Sequence, residues 1–252
     1  MNLLITGASS GLGAALAREY AAAGVTLHLL GRNSERLQDV ANDCRAKGAH
    51  VRTARIDVTD KDAMTAYVEK ADDATPLDLL IANAGISAGT GGTQEPPSQV
   101  EQIFRVNVDG VLHSIQPILG RMAERKRGQI AIMASLAGIR ALPSCPAYSA
   151  SKAAVRYYGD ALRGAMGPHG VHVSVICPGY IHTPMTAVND FPMPLVMTAE
   201  RAAQRIRCGL LRRKARIAFP RRLYFPLWWL SCLPLWLTDP LFARLPAKPQ
   251  KH

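Results

Sequence analysis

The chain has 252 residues, 48% of them apolar, which suits one α/β domain able to bury a sizeable core. Five cysteines stand singly, with no C-x-x-C pair and no histidine at ligand spacing, which argues against a disulfide scaffold or structural zinc and for a reducing, cytoplasmic setting. The net charge of +11 lies wholly in residues 201–252, where 12 Lys and Arg face Asp239 alone, so it marks a local surface rather than a nucleic-acid-binding protein.

Asn2–Thr6 reads as a strand, with no room ahead of it for a signal peptide. Thr6-Gly7-Ala8-Ser9-Ser10-Gly11-Leu12-Gly13 follows, then a helix over Ala14–Ala23 stopped by Gly24. Strand, glycine-rich turn and helix in that order open a dinucleotide fold, where backbone N–H groups and a helix N-terminus approach a pyrophosphate. The spacing is G-x-x-x-G-x-G rather than G-x-G-x-x-G. Val25–Leu30 is the second strand, followed by Gly31-Arg32-Asn33. NAD-binding folds place an acid there against the ribose, whereas Arg suits the extra phosphate of NADP. With Arg32 and Asn33 at that point and no acid before Glu35, NADP(H) is the expected cofactor.

A helix over Ser34–Lys47, with Ser34 as its N-cap and Gly48 as its stop, leads to a strand over His50–Ile56 that ends in Asp57-Val58. Lys61–Asp72 reads as a helix and Leu77–Ile81 as the fourth strand. The small residues of Ala82-Asn83-Ala84-Gly85 then let the backbone lie close to a ligand. Residues 87–97 form a loop, and a helix from Ser98 to Arg127 is broken or kinked near Asn107–Gly110. Asn107 is a poor interior helix residue, so either its side chain has a task or water satisfies the kink. Gln129–Ala134 is the fifth strand, and Ser135 places a hydroxyl at its carboxyl end, in the same crevice or simply as a cap.

Pro146 opens a helix that runs to Met166. Tyr148 and Lys152 sit one turn apart on one face, as such pairs do on many helices. An ammonium close to a phenol favours the phenolate and lowers its pKa toward neutrality, which would let Tyr148 exchange a proton with a substrate oxygen. Val171–Cys177 is the sixth strand, ending in Pro178-Gly179-Tyr180-Ile181-His182-Thr183. Residues 184–197, rich in Met and Pro, read as an apolar lid or a plain surface loop. A helix over Thr198–Leu211 and a short seventh strand over Arg216–Phe219 complete the pattern.

Taken together, Thr6-Gly-x-x-x-Gly-x-Gly13, Asp57-Val58, Asn83-Ala84-Gly85, Asn107, Ser135, Tyr148-x-x-x-Lys152 and Pro178-Gly179 resemble the short-chain dehydrogenase/reductase family over residues 2 to about 219. The resemblance implies a Rossmann-like doubly wound parallel sheet of about seven strands in residues 1–219, followed by a separate segment, 220–252. It also implies catalytic roles for Asn107, Ser135, Tyr148 and Lys152. Tyr148 would be the acid or base, Ser135 would hold the substrate carbonyl, and Lys152 would tune Tyr148 and bind the nicotinamide ribose. Asn107 would anchor a water that links Lys152 to solvent. Cofactor contacts would come from Gly7, Ser9, Ser10, Gly11, Leu12, Gly13, Arg32, Asn33, Asp57, Val58, Asn83, Ala84, Gly85, Pro178, Gly179, Ile181 and Thr183, besides Tyr148 and Lys152. No metal is expected. Ala82 stands where the family often has Asn. The Val-Asp-Gly-Gly ending of many tetrameric members is missing, which leaves a homodimer through helices 98–127 and 146–166 as the expected assembly.

The basic stretch 212–222 precedes an uncharged run, 223–237, that holds all three tryptophans and is interrupted by Pro226 and Pro234. It is too short to span a bilayer but suits a helix lying in the membrane interface, with contact expected through 220–245. Packing over the substrate pocket or a partner subunit is the alternative. The expected function is NADPH-dependent reduction of a carbonyl on an apolar, lipid-like substrate, or oxidation of the alcohol, in the cytoplasm or at the inner face of its membrane. The alternatives are a ketoacyl reductase acting on carrier-protein-linked chains and a non-catalytic NADP-binding sensor or interaction protein.

Overall fold

Seven apolar runs become the strands of one parallel sheet in the computed structural model, which describes residues 1–243, 246 and 248–250. Residues 244, 245, 247, 251 and 252 of the expected tail lie outside the described residues. The strands are β1 (Asn2–Thr6), β2 (Thr26–Gly31), β3 (His50–Arg55), β4 (Leu79–Ala82), β5 (Gly128–Met133) and β6 (Val171–Pro178). A two-stranded ribbon, β7 (Ile181–His182) with β8 (Met197–Thr198), precedes β9 (Arg216–Phe219). The main sheet runs β3-β2-β1-β4-β5-β6-β9, so the chain winds outward from β1 in one direction and from β4 in the other. In such a doubly wound Rossmann-like sheet the crevice above the carboxyl ends of β1 and β4 is the natural ligand site.

Strands buried on both faces need apolar residues at every position. Leu3, Leu4 and Ile5 of β1 are fully buried, as are Leu79–Ala82 of β4. Each such Leu or Ile contributes roughly 1.5–3 kcal/mol. One face is covered by α1 (Gly11–Tyr20), α2 (Ser34–Ala46) and α7 (Ala199–Leu211), which send Leu16, Leu37 and Ile206 into the core. The other is covered by α3 (Lys61–Ala74), α5 (Gly110–Glu124) and α6 (Pro146–Met166), through Met64, Ile118 and Val155. The edge strand β3 carries exposed Arg52 and Arg55, charges that discourage pairing with another sheet.

Some boundaries differ from the sequence reading. Helix α1 opens at Gly11 and ends at Tyr20, because Ala21 turns extended to lead the chain toward β2. The cap of α2 is Asn33, not Ser34: Asn33 has the extended backbone a cap requires, and its Oδ1 accepts from Arg36 N–H at 2.8 Å. The long helix expected over 98–127 is three pieces, namely α4 (Pro97–Phe104), one π-helical turn (Arg105–Asp109) and α5. The extra residue in a π turn re-aims a side chain, and such turns recur at functional sites. Here it turns Asn107 inward, fully buried.

Beyond β9, α8 (Arg221–Ser231) and α9 (Leu235–Phe242) lie on the body of the molecule. Leu223, Tyr224 and Leu227 of α8 pack against the α5–α6 side of the core. The outward faces leave Phe225, Trp228, Trp229, Leu235, Trp236, Leu237 and Leu241 exposed. Among the described residues no helix is long and apolar enough to cross a membrane.

Candidate active site

A cavity of about 360 Å³ opens over the switch point between β1 and β4. Its floor is the Gly7–Gly13 turn. Gly7 has φ +66°, a left-handed conformation that an L side chain rarely adopts. A Cβ on Gly13 would lie 2.1 Å from the Gly7 carbonyl oxygen, so the turn closes this tightly only around glycine. Ser10 caps α1 without a side-chain hydrogen bond. The first-turn N–H groups of the helix are therefore left for a ligand, and the helix dipole favours an anion. Asn83 braces the turn by donating to the Thr6 and Gly7 carbonyls at 3.0 and 3.3 Å. This glycine cradle with unpaired amides fits the pyrophosphate of a dinucleotide.

The same cavity is lined by Ser9, Gly11 and Leu12, by Arg32, Asn33, Asp57 and Val58, and by Ala84, Gly85, Pro178, Gly179, Ile181 and Thr183. Tyr148 and Lys152 close its far end. Every residue expected to touch the cofactor thus reaches one crevice, Tyr148 and Lys152 from α6 and the rest from five strand ends. Arg36 lines it as well and went unread, since nothing in the sequence distinguishes it from a solvated helix arginine. Arg32 lies 3.8 Å from Asp57, a contact worth little because both side chains are well exposed.

Asn107 and Ser135 stand behind the cavity wall, both buried. Asn107 clamps the chain after β4: Oδ1 accepts from Ile86 N–H at 2.8 Å, and Nδ2 donates to the Ile86 carbonyl and to Ser151 Oγ, each at 3.0 Å. A Cβ on Gly85 would lie 3.1 Å from Asn107 Oδ1 and 3.2 Å from Lys152 Nζ, so both side chains crowd the space that a side chain there would fill. Lys152 donates to the Met133 carbonyl at 2.9 Å, two residues before Ser135. Ser135 caps the short turn after β5, its Oγ accepting from Ala137 N–H at 3.2 Å, and its hydroxyl lies near enough to the Tyr148 phenol to act on its proton.

One expectation is reversed. Burial pushes the Tyr148 phenol up to about 12, against the smaller opposing influence of the nearby Ser135 hydroxyl. Lys152 does not bring it toward neutrality, because its ammonium stands 5.9 Å from the phenol ring centroid and is bonded to Met133. Burial also draws Lys152 itself down to about 8. At neutral pH the resting site therefore holds a protonated phenol, suited to giving a proton.

On the other side of Tyr148 lie Cys145 and Tyr180, both near enough to act on its charge, and neither flagged by a motif. Residues 184–197, expected as a lid or a plain surface loop, form turns up to Val196 before Met197 enters β8, and Phe191 meets Tyr180 edge-on at 6.2 Å. Among the described residues no cluster of His, Cys, Asp and Glu could hold a metal.

A buried phenol beside a dinucleotide-shaped crevice places the chain among the α/β oxidoreductases. The model of the short chain dehydrogenase family matches residues 1–191. An uncharacterized oxidoreductase of Myxococcus xanthus is 38% identical over 243 residues, 96% of each chain. Ketoacyl reductase HetN of Nostoc is 35% identical over 180 residues, 71% of this chain and 63% of that one. A short chain dehydrogenase from Mycobacterium paratuberculosis, solved bound to NAD, superposes with a TM-score of 0.76 at 25% identity, covering 86% of this chain and 94% of the other. The chain belongs to the short-chain dehydrogenase/reductase family.

Proposed function

We propose that the protein is an NADPH-dependent carbonyl reductase, and in reverse an alcohol dehydrogenase, for an apolar, lipid-like substrate. The observation that carries this reading is the Tyr148 phenol at the end of the cavity, with Lys152 one helical turn on and the buried Ser135 hydroxyl near it. The nicotinamide, when bound, supplies or accepts the hydride. Ser135 donates a hydrogen bond to the substrate carbonyl, where negative charge develops. Tyr148 passes its proton to that oxygen, and Lys152, at the same end of the cavity, bonds the nicotinamide ribose. Asn107 fixes the 85–86 backbone against which the cofactor end of the site is built.

NADP(H) is favoured by Arg32 and Arg36, both facing the cavity end where the ribose of the adenosine half would lie. The apolar preference is supported by Tyr180, Phe191 and the Met-rich segment beside Tyr148. In this reading residues 1–219 hold the core of the chemistry, and the exposed faces of α8 and α9 dock on an anionic membrane surface at the cytoplasmic face. Exposed Trp228, Trp229 and Trp236 beside Arg221 and Arg222 support that docking. A homodimer would use α4, α5 and α6, where Phe104 and Tyr157 are exposed. Reduction of acyl chains on a carrier protein is a second reading, favoured by the likeness to the Nostoc ketoacyl reductase.

The test is oxidation of NADPH against NADH over a panel of apolar ketones, with and without anionic vesicles. Turnover with NADPH that the vesicles enhance is expected. Binding of NADPH without turnover of any ketone would leave the protein a sensor.

A further inference from the structure

The chain beyond α9 returns to the active site. Gly89 N–H donates to the Pro249 carbonyl and Gly91 N–H to the Lys248 carbonyl, each at 2.8 Å. The Gln250 side-chain amide donates to the carbonyls of Thr90 and Gln94 at 2.9 and 3.0 Å. A Cβ on Gly89 would lie 2.5 Å from the Lys248 Cβ, so a glycine is what lets the two backbones lie this close. The segment is secured upstream as well. Arg140, buried in the loop after Ser135, donates to Thr238 Oγ1 at 2.9 Å and pairs with Asp239 at 2.8 Å. Its guanidinium also sits 4.6 Å over the Phe242 ring.

This course brings Lys248 to Tyr148. Its ammonium stands 4.9 Å from the centroid of the phenol ring and donates to Ser87 Oγ. Among the described residues no carboxylate pairs with it. The titratable neighbour acting on it is Cys145, whose thiol burial pushes up and so keeps protonated. A half-buried ammonium held by one hydroxyl and a ring face is an unfavourable arrangement until an anion reaches it. The proton and hydrogen bond of the reduction come from Tyr148 and Ser135, so the chemistry has no use for Lys248. It stands instead where a substrate must lie to meet them.

We propose that Lys248 is a specificity-determining residue, and that the substrate is a ketone, or alcohol in reverse, bearing a carboxylate or similar anionic group a few bonds from the reacting carbon. The inference rests on the carbonyl-reductase reading and narrows its substrate class. The anionic group takes the place of Ser87 as partner of Lys248, and the apolar remainder lies toward Tyr180 and Phe191.

The experiment uses the full chain and two readouts. Turnover with NADPH is measured on a medium-chain γ-oxo carboxylate and on its methyl ester. Calorimetry on the NADP-loaded protein follows binding of an unreactive medium-chain carboxylate and its ester. The wild type is expected to prefer the acid, and Lys248→Met to raise KM for the acid roughly 10- to 100-fold while leaving kcat nearly unchanged. The ester should shift by no more than about twofold. Lys248→Arg should keep most of the preference, and Lys248→Glu should favour the ester. Equal use of acid and ester, unmoved by Lys248→Met, overturns the proposal while leaving the reductase reading intact. No turnover of either ketone, with carboxylate binding that Lys248→Met abolishes, overturns the reductase reading and keeps Lys248 as an anion-binding residue. Carboxylate binding that is absent or indifferent to Lys248→Met also overturns the proposal.

Discussion

The cofactor cavity and the substrate side meet at Tyr148 and are built by opposite means. The cavity is made largely of backbone: a glycine turn, the first amides of α1, and the carboxyl ends of β1, β2, β3, β4 and β6, all fixed by one sheet. The proposed substrate side draws its side chains, Ser87, Cys145, Tyr180, Phe191 and Lys248, from segments far apart in the chain. A backbone site tolerates almost no change of shape, whereas a side-chain site can be redrawn residue by residue. Single substitutions should therefore separate the two, except at the residue they share.

That residue gives the largest effect. Tyr148→Phe removes the proton donor and leaves the ring, so turnover should fall about 10²–10⁴-fold. NADPH affinity, held by the backbone turn, should barely move. Fluorescence titration of NADPH beside the rate assay checks both, and a variant that retained turnover would remove Tyr148 from the chemistry. Next comes Gly13→Ala. Its Cβ has only 2.1 Å to the Gly7 oxygen, so the turn must open. Overpacking of this kind costs about 1–3 kcal/mol. It should weaken NADPH binding by more than tenfold and lower the unfolding temperature, while any residual turnover keeps its substrate preference. Unchanged NADPH affinity would mean that the turn is not the pyrophosphate site.

The same division decides what could be read from the sequence. Gly7, Gly11 and Gly13 were legible because the chain allows few ways to close that turn, and Tyr148 and Lys152 because one helical turn fixes their relation whatever surrounds them. The broken helix was legible from Asn107, although not that the break is a π turn clamping Ile86. What escaped depends on contacts between distant segments. Nothing local in Pro-Gln or in Gly89 announces that they meet, and Arg36 reads as a solvated helix residue until α2 is docked. The phenol pKa was misjudged for a related reason: spacing gives the partner of Tyr148 but not its desolvation, which prevails here. Asp239, the single acid of the basic stretch, is explained only by its pairing with Arg140.

A smaller effect tests the outer end of the cavity. Arg32→Ala should reduce the preference for NADPH over NADH by roughly tenfold, the loss of one exposed charge contact to a phosphate. Arg36→Ala should do less, and the double variant should bring the two cofactors close together. The ratio of kcat/KM values for the two cofactors measures it. Equal ratios in wild type and double variant would remove both arginines from cofactor choice.

The smallest effect concerns stability and falls on Lys152. Burial lowers its ammonium from the ordinary 10.5 to about 8. Below pH 8 the folded protein holds a charge that the unfolded chain would hydrate better, a constant handicap. Between about 8 and 10.5 the unfolded chain still binds a proton that the folded one has released, so this group makes stability rise with pH across that window. Cys177, pushed up to about 12, acts in the opposite sense over the upper range, since its folded form holds a proton that the unfolded one loses. Comparing wild type with Lys152→Met at each pH isolates the lysine. The variant should unfold a few degrees higher at pH 7, and its advantage should shrink as pH approaches 10. Its turnover should fall, because the nicotinamide ribose would lose the hydrogen bond expected from the ammonium. A variant less stable than wild type at pH 7 would mean that the Met133 hydrogen bond outweighs the burial of the charge. Lys152 would then be a structural residue as much as a catalytic one.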